Sequence, residues 1–358
     1  MKIGIITHRL GQNYGGILQN YALQYVLKQL GHQPITFDLG TRSWKNWLTI
    51  YIKTGIKHII GRPTPPVPLS PYTLKKRERP LRRFVRKNIY LTSPIKQLVA
   101  NHIHSYNIEA LVMGSDQIWR HPWNNLSDNF GEFAVDIDIP KIAYAASFGV
   151  DYWTYDHHLQ DKCSNLIKKF RAVSVRESSG VLLCEKYLGC KCVQMPDPTL
   201  LVERPIYLSL CKDVTCKKGN YLFAYILDAS EAIMNVIKDI ALENGLDIVV
   251  KQANENISDT DSVEKWLSCF RDSSMVITDS FHGTVFSIIF NKEFYVLQNA
   301  VRGNTRIDSL LHTFGLKDRI LQSDHPRENN PIDWELINKI TAEERNKGVG
   351  FLSKYLSK

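Results

Sequence analysis

Several short polar clusters in this chain sit at or just beyond the end of an apolar, β-branched run. They are Asn13-Tyr14-Gly15-Gly16, Gly114-Ser115-Asp116-Gln117-Ile118-Trp119-Arg120, Ser147-Phe148-Gly149, Ser174-Val175-Arg176-Glu177 and Asp279-Ser280-Phe281-His282-Gly283. A chain that needs only a core has little reason for this placement, whereas one crevice fed by many strand ends explains it. His282 stands where a strand gives way to a helix. The field there disfavours an imidazolium and a neighbouring anion favours it, so the group can serve as a general acid; capping or core packing is the plainer reading. The guanidinium of Arg176 suits a phosphate or a carboxylate. Asp116 can accept a proton from a hydroxyl or cap a helix. Trp119 offers a flat face to a sugar ring, or packs. Asp279 either orients His282 or caps its helix. The loop around Gly11, Gly15 and Gly16 is not a GxGxxG fingerprint, yet it can present backbone N–H groups at a helix start, or simply turn tightly.

The elements that must hold these groups alternate. Strands are predicted at Lys2 to Thr7, Pro34 to Asp38, Ala110 to Met113, Lys141 to Ala145, Ala172 to Val175, Tyr221 to Leu227, Asp247 to Val250, Met275 to Thr278 and Glu293 to Leu297. Apolar residues at helical spacing predict helices over Ile17 to Leu30, Glu231 to Asn244, Gly283 to Phe290 and Trp334 to Leu356. Such alternation implies parallel, doubly wound sheets. Residues 41–95 break the rhythm with Trp44, Trp47, the prolines at 63, 65, 66 and 68, and a basic run from Lys75 to Arg86. They are expected to form an insertion with a loop and a basic helix. That helix presents a solvated face or meets an anionic membrane surface.

At 358 residues the chain is long for one core, and two domains are expected. The predicted units are 1–160, 161–330 and a C-terminal helix over 331–358. A formal net charge of +9 suits an anionic partner without choosing it. No run approaches a membrane span and the amino terminus starts like a buried strand, so a cytoplasmic protein, peripheral at the inner membrane at most, is expected. The seven cysteines include no CxxC pair and read as reduced thiols. No zinc or Walker signature is present, and no metal or cofactor is expected. The basic run has no nucleic-acid recognition motif beside it.

In order, these clusters resemble the polysaccharide pyruvyl transferase family. The matching features are Asn13-Tyr14-Gly15-Gly16-Ile17-Leu18-Gln19, Gly114-Ser115-Asp116-Gln117-Ile118-Trp119, Ser174-Val175-Arg176-Glu177 and Asp197-Pro198-Thr199-Leu200-Leu201. Thr278-Asp279-Ser280-Phe281-His282-Gly283-Thr284 and Arg302-Gly303-Asn304 through Arg306 to Leu311 complete them. They span roughly residues 1–320. The resemblance implies two Rossmann-like domains in a GT-B-like arrangement, facing each other across a cleft. It also implies transfer of a pyruvyl group from phosphoenolpyruvate (PEP) to a sugar hydroxyl pair in bacterial cell-surface or exopolysaccharide synthesis. The acceptor would be a saccharide or a lipid-linked oligosaccharide. His282 then corresponds to the family's proton donor and Arg176 to its anion-gripping arginine, with Asn13, Gly15, Gly16, Ser115, Asp116, Trp119 and Asp279 around the substrates. The chain departs from the pattern at Ser280, where some members carry an arginine. Arg302 and Arg306 are the candidates to supply that contact.

Two rival readings stay open. One is a GT-B glycosyltransferase using a nucleotide sugar, with Glu177 and Glu185 eight positions apart on the donor sugar. The other is a carbohydrate-binding protein that keeps the fold without turnover.

Overall fold

The computed structural model describes residues 1–11, 13–40, 48–49, 51–52, 54, 70–252, 260–299, 303–321 and 330–357. Trp44, Trp47 and the proline cluster lie outside them.

The first sheet contains β1 (Lys2–Ile6), β2 (Gln33–Thr36), β3 (Ala110–Met113), β4 (Lys141–Ala146), β5 (Ala172–Val175) and β6 (Val193–Gln194), in the spatial order β2-β1-β3-β4-β5-β6. The second contains β7 (Tyr221–Ile226), β8 (Asp247–Gln252), β9 (Met275–Thr278), β10 (Glu293–Leu297) and β11 (Ile320–Leu321), in the order β11-β10-β9-β7-β8. All pairings are parallel. Counted from its own first strand, the second sheet repeats the 2-1-3-4-5 winding of the first. The order reverses between β1 and β3 in one sheet and between β7 and β9 in the other. Crevices for ligands open at such reversals, beyond the carboxyl ends of the strands. The loops after β1 and β3 carry Asn13 and Asp116, and His282 stands in the first turn of the helix that follows β9.

Six helices matter below: α1 (Tyr14–Gln29), α2 (Pro71–Asn88), α3 (Val263–Asp272), α4 (Phe281–Ile289), α5 (Thr305–Phe314) and α6 (Trp334–Leu356). Their ends follow ordinary capping. Asn13, Ser70, Ser262, Ser280 and Asp333 each accept a hydrogen bond from a backbone N–H in the first turn of their helix. One apolar cluster is shared by the two sheets, with Ile3, Ile5 and Val112 from the first and Phe223, Tyr225 and Val276 from the second. Two smaller clusters fill the outer faces.

Three expectations change here. The first sheet does not end at residue 160, because β5 and β6 pair into it through Ala172 and Val193. The C-terminal helix is no separate unit. It returns to the first sheet, where Phe351 meets Tyr144 at 5.9 Å between ring centroids and the Tyr355 carbonyl accepts from Arg171 Nη1 at 3.2 Å. The cysteines are not all thiols, since Cys216 and Cys269 form a disulfide. Among the described residues no helix is long and apolar enough to cross a membrane, and no group of three His, Cys, Asp or Glu could hold a metal ion.

Candidate active site

Two helix starts meet where the sheets adjoin. In the first, the Asn13 side chain accepts from Gly15 N at 2.9 Å. In the second, Ser280 Oγ accepts from Gly283 N at 3.3 Å. Between them lies the His282 ring, which is buried. Gly15 is there for space: a Cβ at that position would stand 2.0 Å from His282 Nδ1, far inside van der Waals contact. Gly16 faces Asp116, and a Cβ on it would sit an ordinary 3.5 Å from Asp116 Oδ2.

The other imidazole nitrogen faces a carboxylate. His282 Nε2 is 3.5 Å from Asp197 Oδ2. Asp197 is fully buried and much used: its Oδ2 accepts from Arg176 Nη1 at 2.7 Å and Ser115 Oγ at 3.1 Å. Its Oδ1 accepts from Thr199 N at 3.0 Å and Thr199 Oγ1 at 2.7 Å. Arg176 also reaches Asp116 Oδ1, at 3.3 Å from Nη2. Its guanidinium lies 4.2 Å from the centroid of the Phe281 ring, and that of Arg306, from α5, lies 6.0 Å from the same centroid. His282, Asp197, Asp116, Arg176 and Arg306 are thus one buried charged cluster, assembled from both sheets.

Burial alone would raise both carboxyl groups. For Asp116 the charges of His8, Arg176, His282 and Arg306 outweigh it and hold the group well below the usual carboxylate range. For Asp197 the opposing influences are His282, Arg176 and the Thr199 N–H, with the same outcome. Burial would lower Arg176, but Asp197, Asp116 and Glu177 raise it. Arg306 is the odd member. Burial and the neighbouring Arg176 charge push it down to about 10, against the pull of Asp116 and Glu177. Arg176, by contrast, is matched by two carboxylates.

Of the residues expected from the sequence, the fold gathers Gly15, Gly16, Ser115, Asp116, Arg176, His282 and Arg306, with Asn13 as the cap that shapes the first turn. Ser280 caps the His282 helix, a role closed to the arginine found there in some family members. Asp279 neither orients His282 nor caps its helix. Its carboxylate accepts from Leu227 N at 2.6 Å, Asp228 N at 3.1 Å and Asn299 Nδ2 at 2.9 Å, closing the reversal between β7 and β9. Trp119 is no sugar platform: it is fully buried, stacked on Phe130 at 4.7 Å, and its indole N–H donates to the Asn129 carbonyl. Asp116 caps no helix; it holds a left-handed backbone, φ 80°, at the end of β3. Arg302 lies outside the described residues.

Sequence reasoning missed two acids. Asp197 lay inside a quoted motif, but the two-residue β6 that delivers it carries no pattern of its own. Glu177 was seen only as half of a donor-sugar pair. It is buried, and its Oε1 accepts from Ser147 Oγ at 2.9 Å and Phe148 N at 2.8 Å, while Glu185 is exposed. The pair therefore does not converge, which removes the residue argument for a nucleotide-sugar enzyme.

Contacts between the sheets hold this cluster shut. Tyr14 stacks on Trp266 of α3 at 5.2 Å and donates to the Asp261 carbonyl at 3.0 Å. Ser178 N and Oγ lie 3.2 and 3.1 Å from Ser309 Oγ of α5.

Among solved structures the chain is similar to a functionally uncharacterised protein from Klebsiella pneumoniae subsp. pneumoniae (12% identity, 90% of this chain and 93% of the other, TM-score 0.45). It is also similar to UDP-GlcNAc 2-epimerase from Methanocaldococcus jannaschii (10%, 97% and 93%, TM-score 0.47) and to a glycosyltransferase from a Streptomyces species (10%, 99% and 95%, TM-score 0.40). These likenesses are too distant to carry an argument about the site. No curated protein matches the chain in sequence. The family model for polysaccharide pyruvyl transferases, however, matches residues 13–300, from the cap of α1 to beyond β10, and the chain belongs to that family.

Proposed function

We propose that the chain transfers a pyruvyl group from PEP to two hydroxyls of a saccharide acceptor, forming a cyclic ketal. The observation that carries this reading is the charged cluster itself: an imidazole flanked by a buried carboxylate, with two arginines converging on one aromatic ring beside it. PEP bears a phosphate and a carboxylate. Arg176 and Arg306, whose guanidinium groups lie 4.2 and 6.0 Å from the Phe281 ring centroid beside His282, are the cations placed to meet them.

His282 gives its proton to the methylene carbon of PEP, which becomes a methyl group, and positive charge develops at the neighbouring carbon. A sugar hydroxyl attacks that carbon and its proton passes to the base left on His282. The second hydroxyl then displaces phosphate and closes the ring. Of the two hydroxyl protons, one replaces the proton spent on the methyl group and the other leaves with phosphate. Asp197 orients the imidazole and stabilises its charged form. Positioned proton transfer of this kind is typically worth about 100- to 10,000-fold.

Gly15 covers one ring nitrogen and Asp197 faces the other, so substrate access requires the turn at Tyr14-Gly15 to part from the turn at His282. PEP should therefore stabilise the protein when it binds. The test is thermal unfolding with PEP and, separately, with nucleotide sugars, followed by phosphate release with a panel of saccharide acceptors. A rise in melting temperature with PEP and acceptor-dependent phosphate release are expected. Stabilisation by a nucleotide sugar and not by PEP would overturn the reading.

A further inference from the structure

Helix α2 has two faces of opposite duty. Its inner face holds Glu78, Leu81, Phe84 and Val85, all buried. From this side Arg82 donates to Asp38 and to the Leu10 carbonyl at 2.9 Å, and Glu78 pairs with Arg9. Gly11 lies against Glu78 and Arg82 as well. The inner face thus clamps the segment 9–11, which leads directly into the Asn13–Gly16 turn of the active site.

The outer face is different. Lys75, Lys76, Arg79, Arg83, Arg86 and Lys87 are all exposed. At about 100° per residue these six positions fall within an arc of roughly 120°. No acid interrupts the arc, and none of the six makes an ion pair among the described residues. Tyr72 at the start of the helix and Tyr90 just past its end are 71% and 63% exposed. The helix is 18 residues long, which gives a stripe of about 27 Å with an exposed aromatic at each end.

We propose that this face docks on an anionic lipid bilayer. Both a bilayer and a nucleic acid would satisfy six cations, but the flanking features favour the bilayer. Tyrosines at the margins suit the headgroup level of a membrane. The stripe is also the convex outer surface of a single helix, whereas backbone tracking of a nucleic acid uses a charged groove. A bilayer held there lies behind the clamp, so docking places segment 9–11, which leads to the active-site turn, one helix diameter (~10 Å) from the lipid surface. An acceptor carried on a lipid would meet the enzyme at that surface. The docking does not depend on the reaction proposed above, because it is read without turnover.

The experiment is co-sedimentation of the full chain with vesicles of phosphatidylcholine alone and of phosphatidylcholine with phosphatidylglycerol. Binding to the second and not the first is expected, and high salt should abolish it. The triple variants Lys75→Gln/Lys76→Gln/Arg79→Gln and Arg83→Gln/Arg86→Gln/Lys87→Gln should each lose roughly 100-fold in partitioning, at the usual gain per surface cation. Any PEP-induced thermal shift should be unchanged in both. Should a triple variant fail to fold, the single variants Lys75→Gln, Arg79→Gln and Arg86→Gln report the same slope at roughly fivefold each. Absence of binding to anionic vesicles at low salt, or binding that survives both triple variants, would overturn the proposal. So would variants that lose affinity for a DNA oligonucleotide while vesicle binding stays intact.

Discussion

The two helix starts that meet at the site, Asn13-Tyr14-Gly15-Gly16 and Ser280-Phe281-His282-Gly283, are built alike. Each has a short polar cap and a glycine within the first turn, and each opens from the switch point of its own sheet. They contribute opposite things. The second turn supplies the imidazole; the first supplies the absence of a side chain that lets the imidazole lie against its backbone. The lesson is that a glycine and a histidine can be one functional unit although some 270 residues separate them in sequence. Neither is interpretable without the other.

Several substitutions break or sharpen that comparison. His282→Ala removes the contribution of the second turn, and acceptor-dependent phosphate release should fall by roughly 100- to 10,000-fold. Retained turnover in the folded variant would refute the role. Gly15→Ala fills the gap in the first turn and must displace the ring. A loss of roughly 100-fold in kcat is expected, the usual cost of misplacing a reacting group by about 1 Å. Gly16→Ala is the paired control, because its Cβ finds ordinary contact distance; its activity should stay within about twofold and its melting temperature should not fall. If both alanines behave alike, the complementarity of the two turns is wrong.

Arg306→Gln should raise the KM for PEP by roughly 10- to 100-fold, the range for a lost hydrogen bond to a charged group, with a smaller effect on kcat. Arg176→Gln is a poor test of binding. It strips the cation from two buried carboxylates, at a cost of roughly 3–5 kcal/mol in stability.

The mildest test uses acid. Asp116 and Asp197 are both more acidic folded than unfolded. The stability they confer is complete above the unfolded carboxylate value of about 3.9 and drains away as pH falls below it toward the folded values. Chemical denaturation across that window should show a shallower pH dependence for Asp197→Asn than for the native chain. Parallel curves would mean that Asp197 is not held charged by His282 and Arg176.

Much of this fold is legible from one sequence. The strands at Ala110, Ala172, Met275 and Glu293 begin and end where their β-branched runs do, because a buried parallel strand must be apolar on both faces. The basic helix is legible too, since its buried residues recur at helical spacing. The two-residue strands β6 and β11 are not, as no periodicity fits in two residues. Losing β6 hid the placement of Asp197, while the legible β5 was assigned to the wrong unit, which misplaced the boundary. Trp119 and Asp279 were misjudged for another reason. A buried indole stack and a carboxylate that satisfies backbone N–H groups look the same in sequence as a sugar platform and a catalytic partner.

The sequence by itself determined the periodicities, the cap residues, the excess of positive charge and the order of motifs that marks the family. These are local properties, set by spacing and residue type. Tertiary structure alone decided that Gly15 faces His282, that Arg176 is already matched by Asp116 and Asp197, and that Arg306 is left with a depressed proton affinity. Those outcomes depend on burial and on charges brought together from both sheets. Electrostatic strength inside a protein is set by surroundings that no linear spacing encodes.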